Sequence, residues 1–310
     1  MRVVDICCGA GGTSLGFKQA GYEIHAGVDN CTDCCAAYRL NHGCAYALDL
    51  LTAEGQGRAL ELCREADVMV GSPPCQGFSQ CNKHRLTQTD ATLTLPLVFA
   101  RIVTQSAPQA FVLEETPLFR HTPQFQAAMT EFQQLFHVEA KVLKAQDYGT
   151  PQRRHRLVIV GVRRGLGVRG ALHPPPTHVI PVTAGAAFAS CCPPPGALLT
   201  GKTLRACELR HEMQLRGEQP KSWSGIHSLL CPDTPAPTVT CHVHKPGAYR
   251  CMLHGGLFHR LSLEEAACLQ GFPAGTHFVG AVNARFRQVG NAVPPPLANA
   301  IAMRLRLLLM

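Results

Sequence analysis

The first 163 residues alternate short apolar runs with stretches that read as helices. Residues 2–6, 23–28, 45–48, 67–70, 110–113, 138–143 and 157–162 are short and rich in Val, Ile, Leu and Ala, as buried strands are. Between them, residues 13–20, 31–40, 56–63, 93–105 and 124–135 read as helices, with Gly21 where the first should stop and Pro96 near the start of the fourth. This rhythm predicts an α/β fold: a Rossmann-like, mostly parallel open sheet with helices on both faces.

After Arg163 the rhythm fails. Gly, Pro, His and Arg become frequent, and the runs Pro174 to Pro176 and Pro193 to Pro195 interrupt any period, so residues 164–258 are expected to form a small, irregular second domain. Regularity returns in residues 259–310. Ser262 with Glu265 three positions on is a capping-box signature. An apolar helix over 297–309 follows the rigid lead-in Pro294 to Pro296. This last segment is expected to complete the core begun by residues 1–163.

Composition narrows the class. No run of eighteen apolar residues and no cationic leader is present, which predicts a soluble intracellular protein without a membrane span. Sixteen cysteines include the adjacent pairs Cys7-Cys8, Cys34-Cys35 and Cys191-Cys192, a usage that fits reduced thiols better than a disulfide framework. The net charge of +8 is unevenly spread: residues 1–150 hold 11 Lys+Arg against 15 Asp+Glu, leaving 18 against 6 for residues 151–310. A second half at +12 beside a first half at −4 suits a polyanionic partner, nucleic acid foremost.

Ligand sites in open α/β sheets gather at the carboxyl ends of the strands. Asp5, the turn Gly9-Ala10-Gly11-Gly12, Asp29, Asp49, Cys75 and Glu114 all fall at such ends in this reading. The glycine turn permits close backbone approach, and Asp29, twenty residues beyond Gly9, suits ribose hydroxyls. Ser14 occupies the place of a third glycine, which favours a nucleoside without a pyrophosphate over a dinucleotide. Residues 71–79, Gly-Ser-Pro-Pro-Cys-Gln-Gly-Phe-Ser, place one cysteine in a loop stiffened by two prolines just after a strand. A thiolate held there is a nucleophile positioned before any ligand arrives.

In the order glycine turn, Asp29, Asp49, Pro-Pro-Cys-Gln-Gly-Phe-Ser, Glu114, Gln152-Arg153-Arg154-His155-Arg156 and Gln288-Val289-Gly290-Asn291-Ala292-Val293-Pro294, the chain resembles the DNA cytosine-5 methyltransferases. Leu269-Gln270-Gly271-Phe272-Pro273 matches a further block of that family, and only residues 164–232 lack a recognisable counterpart.

The resemblance implies an S-adenosylmethionine-dependent core and a target-recognition domain that engages double-stranded DNA as a monomer. It implies catalytic roles for Cys75, Glu114, Arg154 and Arg156. It implies cofactor contacts from Asp5, Gly9, Gly11, Gly12, Asp29, Asn30, Asp49, Leu50, Pro73, Asn291 and Ala292. Thiolate attack on carbon 6 of a flipped cytosine would make carbon 5 nucleophilic, with Glu114 supporting the ring and Arg156 holding the oxygen at carbon 2. Because Arg154 and Arg156 flank His155 at strand spacing, one of the two is expected to be structural or to contact phosphate.

An RNA cytosine methyltransferase on the same scaffold and a weakly active DNA-binding homologue are the alternatives. The chain departs from the family pattern at three places, and the first two, at Glu115 and Cys7, motivate the second alternative. Glu115-Thr116 stands where the family has Asn-Val after its glutamate, Cys7 replaces a phenylalanine, and Ala91-Thr92 occupies the neighbourhood of an arginine-asparagine pair. If both face the pocket, two like carboxylates at 114 and 115 would raise the pKa of Glu114, although adjacent residues at a strand end usually point apart; on that coupling Glu115→Asn is expected to move the alkaline limb of activity downward. Arg210, Arg216, Lys221 and Trp223 are candidates for groove contacts by residue type. Cys31, Cys34, Cys35 and Cys44, and separately Cys241, His244, Cys251 and His254, have metal-like spacing, yet no metal site is assigned.

Overall fold

A computed structural model describes residues 1–74, 91–218, 227–245, 249–254 and 257–310. The first half forms β1 (Arg2–Ile6), α1 (Gly12–Gln19), β2 (Glu23–Asp29), α2 (Thr32–His42), β3 (Ala45–Ala47), α3 (Ala53–Cys63), β4 (Val68–Gly71), α4 (Leu95–Ser106), β5 (Ala110–Glu115), α5 (Pro123–Gln133), β6 (Phe136–Lys144), β7 (Gln152–Arg153) and β8 (His155–Arg163). Seven of these strands make one sheet in the order β3-β2-β1-β4-β5-β8-β6. Neighbours from β3 through β5 run parallel. β8 runs antiparallel to both β5 and β6.

That one reversed strand matters for the chemistry. Because β8 enters where its parallel neighbours exit, its first residues lie on the same sheet edge as the carboxyl ends of β1, β2, β4 and β5. Leu157 pairs with Glu115 and Val158 with Glu114, so Arg156 sits at that edge too.

Both faces of the sheet are covered, as nearly continuous apolar strands require. On one face Val4, Ile6, Met69, Phe111, Leu113 and Ile159 pack with Phe99 and Ile102 of α4 and Phe132 of α5. Phe111 and Phe132 stack with ring centroids 4.1 Å apart, and Phe136 meets Phe111 edge-on at 5.0 Å. On the other face Val3, Val68, Val70, Val112, Val158 and Val160 pack with Phe17 of α1 and with Leu297, Ile301 and Leu305.

The second half contributes α6 (Ala184–Cys191), α7 (Gly201–Leu215), β9 (His227–Leu229), β10 (Ala236–Pro237), β11 (Tyr249–His254), β12 (Leu257–Arg260), α8 (Leu263–Gln270), α9 (Val282–Asn291) and α10 (Pro295–Leu309). β12-β11-β9 form a small separate sheet, and β10 pairs with β7. Residues 172–178 lie against the core: the Leu172 amide donates to Glu139 Oε2 at 3.0 Å, and Tyr148 Oη donates to the Pro174 carbonyl at 3.1 Å. The capping box of α8 forms in both directions, the Glu265 amide to Ser262 Oγ at 2.9 Å and the Ser262 amide to Glu265 Oε2 at 2.7 Å.

α10 returns to lie on α1, and the contact is close enough to require a glycine. A Cβ at Gly16 would collide with the Ala298 side chain and the Pro295 carbonyl. Asn299 Nδ2 donates to the Gly16 carbonyl at 3.2 Å, and Arg306 Nη1 donates to the Ala20 carbonyl at 2.6 Å, closing the carboxyl end of α1. Among the described residues, no helix is long and apolar enough to cross a membrane.

Candidate active site

The site grows from the carboxyl edge of the sheet. After β1 the chain turns through Cys7 and Gly9, both at positive φ (57° and 55°), and through Gly11 at 89°, directly into α1. A side chain at Gly11 would strike His42 and Tyr38, and one at Gly12 would strike the Val293 carbonyl and Ala292, whereas a Cβ on Gly9 would meet nothing within 4 Å. The turn is thus pressed against protein at Gly11 and Gly12 and open at Gly9, leaving backbone accessible to a ligand.

Asp29, at the end of β2, accepts from the Gly9 amide at 2.9 Å and from the Cys31 amide at 2.9 Å, one carboxylate oxygen each. Each oxygen keeps a second lone pair for a hydroxyl. Burial raises the Asp29 pKa, against the lowering effect of these amides. Asn30 and Asp49 are exposed beside it, and Leu50 is buried. Asp49 Oδ1 accepts from the Leu51 amide at 3.0 Å.

Asp5 lies beneath, fully buried. Ser14 Oγ donates to Asp5 Oδ2 at 2.7 Å and lies 2.7 Å from Tyr38 Oη, while Asp5 Oδ1 has no hydrogen-bond partner among the described residues. Burial pushes the Asp5 carboxyl up to about 7, with the Ser14 hydroxyl acting in the opposite direction. Ser14, which departs from the dinucleotide pattern, is therefore occupied in holding a buried acid. An open glycine, the two edge carboxylates Asp29 and Asp49 and the buried acceptor Asp5 Oδ1 fit a nucleoside that carries a positive charge, as S-adenosylmethionine does.

Beyond β4, Ser72 Oγ donates to the Cys7 carbonyl at 3.3 Å, tying the start of the Pro73-Pro74 segment to the glycine turn. Cys75, the next residue, lies outside the described residues, as do Lys221, Trp223 and the side chain of His254. On β5, Glu114 is 8% exposed and its Oε1 is 2.7 Å from Arg156 Nε, an ion pair without the alignment of a hydrogen bond. Arg156 Nη1 donates to the His155 carbonyl at 2.7 Å, which fixes the guanidinium.

Glu115 is wholly buried. Its Oε2 accepts from the Thr116 amide at 3.1 Å, and its Oε1 has no partner among the described residues. Burial first, and then the charge of Glu114, raise the Glu115 carboxyl well above the usual range. The expected carboxylate coupling thus falls on Glu115, whose side chain alone enters the protein interior.

The two arginines separate as well. Arg154, 2% exposed, sends Nη1 to the Val239 carbonyl at 3.2 Å and Nη2 to the carbonyls of Gly290 and Ala292 at 3.1 Å each. Its guanidinium is engaged with backbone, away from the Glu114–Arg156 pair, because it precedes the regular part of β8 and turns inward. Two residues given no role from sequence join it. Gln152 Nε2 donates to Gln270 Oε1 at 2.7 Å, and Gln152 Oε1 accepts from the Val239 amide at 2.8 Å. Gln270 Nε2 donates to the carbonyls of Val289 and Ala292 at 2.7 and 3.1 Å. This clasp fixes Ala292 beside Gly12 and leaves Asn291 exposed. Its signal in the sequence was the pair of glutamines inside otherwise apolar or turn-forming blocks.

Neither cysteine-histidine group forms a metal cage among the described residues. Cys251 is hydrogen-bonded to Cys207, and His244 stacks on Phe286 at 4.5 Å and contacts Asn283 Oδ1.

Comparison with known proteins places this geometry. Residues 1–189 and 200–306 match the family model for C-5 cytosine-specific DNA methylase. The type II methyltransferase M.AplI of Arthrospira platensis is 32% identical over 99% of this chain and 86% of its own length. M1.HphI of Haemophilus parahaemolyticus is 34% identical over 97% and 86%. Among solved structures, a putative DNA modification methyltransferase encoded within an Escherichia coli prophage superposes with a TM-score of 0.74 at 22% identity, covering 100% of this chain and 99% of that one. A Spodoptera frugiperda DNMT2 gives the same TM-score and coverage at 15% identity, which shows a shared fold. The family match spans nearly the whole chain, so this protein belongs to the C-5 cytosine-specific DNA methylases and is a DNA (cytosine-5)-methyltransferase with S-adenosylmethionine as methyl donor.

Proposed function

We propose that the chain methylates cytosine in duplex DNA by covalent catalysis from Cys75, with Glu114 and Arg156 as its partners on the ring. The observation that carries this reading is the 2.7 Å Glu114–Arg156 pair at the sheet edge where the Pro73-Pro74 segment leaves β4. A cytosine must leave the stack to reach such an edge. The Cys75 thiolate adds to carbon 6, and electron density moves onto the ring toward nitrogen 3 and carbon 5. Glu114 hydrogen-bonds nitrogen 3 and the amino group, and Arg156 orients Glu114 while reaching the oxygen at carbon 2. The methyl donor supplies an electrophilic methyl group for carbon 5. Loss of the carbon 5 proton then expels the cysteine and restores aromaticity.

Asp29, Asn30 and Asp49 would hold the ribose and adenine of the donor, Gly9 its amino acid portion by backbone approach, and Pro73 and Ala292 would flank it. Arg154 serves as a positioning residue, through the clasp around Ala292. The small β12-β11-β9 sheet and the loops around it would read the target. The relatives are named type II methyltransferases, which supports a role in host modification; action as a monomer in the cytoplasm belongs to the same proposal.

The test is methyl transfer from labelled donor to duplex DNA and to transfer RNA by wild type and Glu114→Gln. DNA labelling that falls at least 100-fold in the variant is expected. Preferential labelling of RNA would favour the RNA reading, and unchanged DNA labelling in the variant would remove Glu114 from the chemistry.

A further inference from the structure

Two pairs of cysteines outside the site are in side-chain contact. Cys207 on α7 and Cys251 on β11 hydrogen-bond to each other in an apolar cluster with Leu199 and Leu229, and both are sealed, at 1% and 0% exposure. Cys191, the last residue of α6, and Cys268 on α8 form the second pair, and this one is reachable. Cys268 Sγ donates to the Ala187 carbonyl at 3.5 Å, which places it against α6 one turn before Cys191, with the Cys191 sulfur close enough to raise its pKa. Cys191 is half-buried, and both cysteines line an open cavity of about 280 Å³ with Ser190, Gly149 and Pro151. Burial, and after it the neighbouring Cys191 sulfur, keep the Cys268 thiol protonated, so the more exposed Cys191 is the entry point.

We propose that Cys191 and Cys268 are a modification site at which a glutathione-type disulfide converts two thiols into a reversible bridge between α6 and α8. The Cys191 thiolate attacks one sulfur of the oxidant and releases one thiolate. Cys268 loses its proton and attacks the Cys191 sulfur of the mixed disulfide, releasing the second. Two protein thiols are oxidised and one small disulfide is reduced to two thiols. The bridge would close a long stretch of chain, including the small sheet, and so constrain the unfolded state.

The experiment treats the folded full-length protein with oxidised glutathione, blocks the remaining thiols with iodoacetamide and maps peptides by mass spectrometry. A linked Cys191–Cys268 peptide pair is expected, lost on treatment with dithiothreitol and absent in Cys191→Ser, while Cys207 and Cys251 stay reduced. The melting temperature of the wild type should rise by several degrees on oxidation, and that of Cys191→Ser should not. Cys192→Ser should behave as wild type, because Cys192 itself is exposed and its thiol donates to the Ala189 carbonyl at 3.4 Å. Alkylation of both Cys191 and Cys268 after treatment, or linkage of either to a different cysteine, would overturn the proposal. These readouts do not depend on methyl transfer, so failure here and failure of the catalytic reading are separable.

Discussion

At the scale of single residues, Glu114 and Glu115 are adjacent in sequence and opposite in situation. Successive positions of a strand face opposite sides, so one carboxylate meets Arg156 and the other enters the interior, with no ion pair among the described residues. A neutral Glu115 in the native state and an ionised one in the unfolded chain give the native state the extra proton. Stability attributable to this group is therefore full at pH values below the ordinary carboxylate range and is lost as pH climbs toward the raised native value, at about 1.4 kcal/mol per pH unit. Glu115→Gln should flatten this dependence, seen as urea midpoints that differ less between pH 6 and pH 8 than in wild type. The rate of methyl transfer by wild type should fall at alkaline pH as Glu115 ionises beside Glu114, and Glu115→Gln should retain its rate there. Superimposable alkaline limbs would show that Glu115 does not limit the reaction. Sequence reasoning found the pair but assigned the shift to Glu114, since strand spacing alone does not say which of two adjacent residues is enclosed.

At the scale of elements, the parallel strands were legible because each is a short apolar run closed by a glycine or an acid. The reversal of β8 was not, as nothing in the residues 155–163 distinguishes an antiparallel central strand from a parallel one. That reversal brings Arg156 to the reactive edge and leaves Arg154, two residues earlier, at the bend between β7 and β8. The distinction predicts unequal costs. Arg154→Ala strips a donor from two buried carbonyls and one part-buried carbonyl and should destabilise the fold by about 3 kcal/mol, whereas exposed Arg153→Ala should change stability by less than about 0.5 kcal/mol. Gln270→Ala should cost about 2–4 kcal/mol, since it opens a cavity and removes the donor to Val289. Denaturant unfolding of the three variants measures these differences directly, and equal losses for Arg153 and Arg154 would contradict the clasp.

At the scale of the whole molecule, the acidic first half carries the sheet edge and its carboxylates, and the basic second half meets it through Ala292 and Val293 beside Gly12. The charge asymmetry was visible in the sequence, while its arrangement was not, because the strands of the small sheet are too short for a period to show. Lys245 and Arg287 are exposed and come together with His242 where the loop after β10 meets α9, and the nearby positive charges lower the His242 pKa after burial has done so. Such a cluster suits phosphate. Lys245→Ala with Arg287→Ala should weaken DNA binding across sequences and reduce the slope of log affinity against log salt by about 2. A slope unchanged from wild type would place the phosphate contacts elsewhere. The central claim is that Cys75 adds to cytosine and that the edge built around it transfers methyl to carbon 5. Bisulfite sequencing of DNA from cells expressing the wild type beside a Cys75→Ala control tests it most directly. Protected cytosines in one sequence context with the wild type and none with the control are predicted, and equal conversion in both samples would contradict the account.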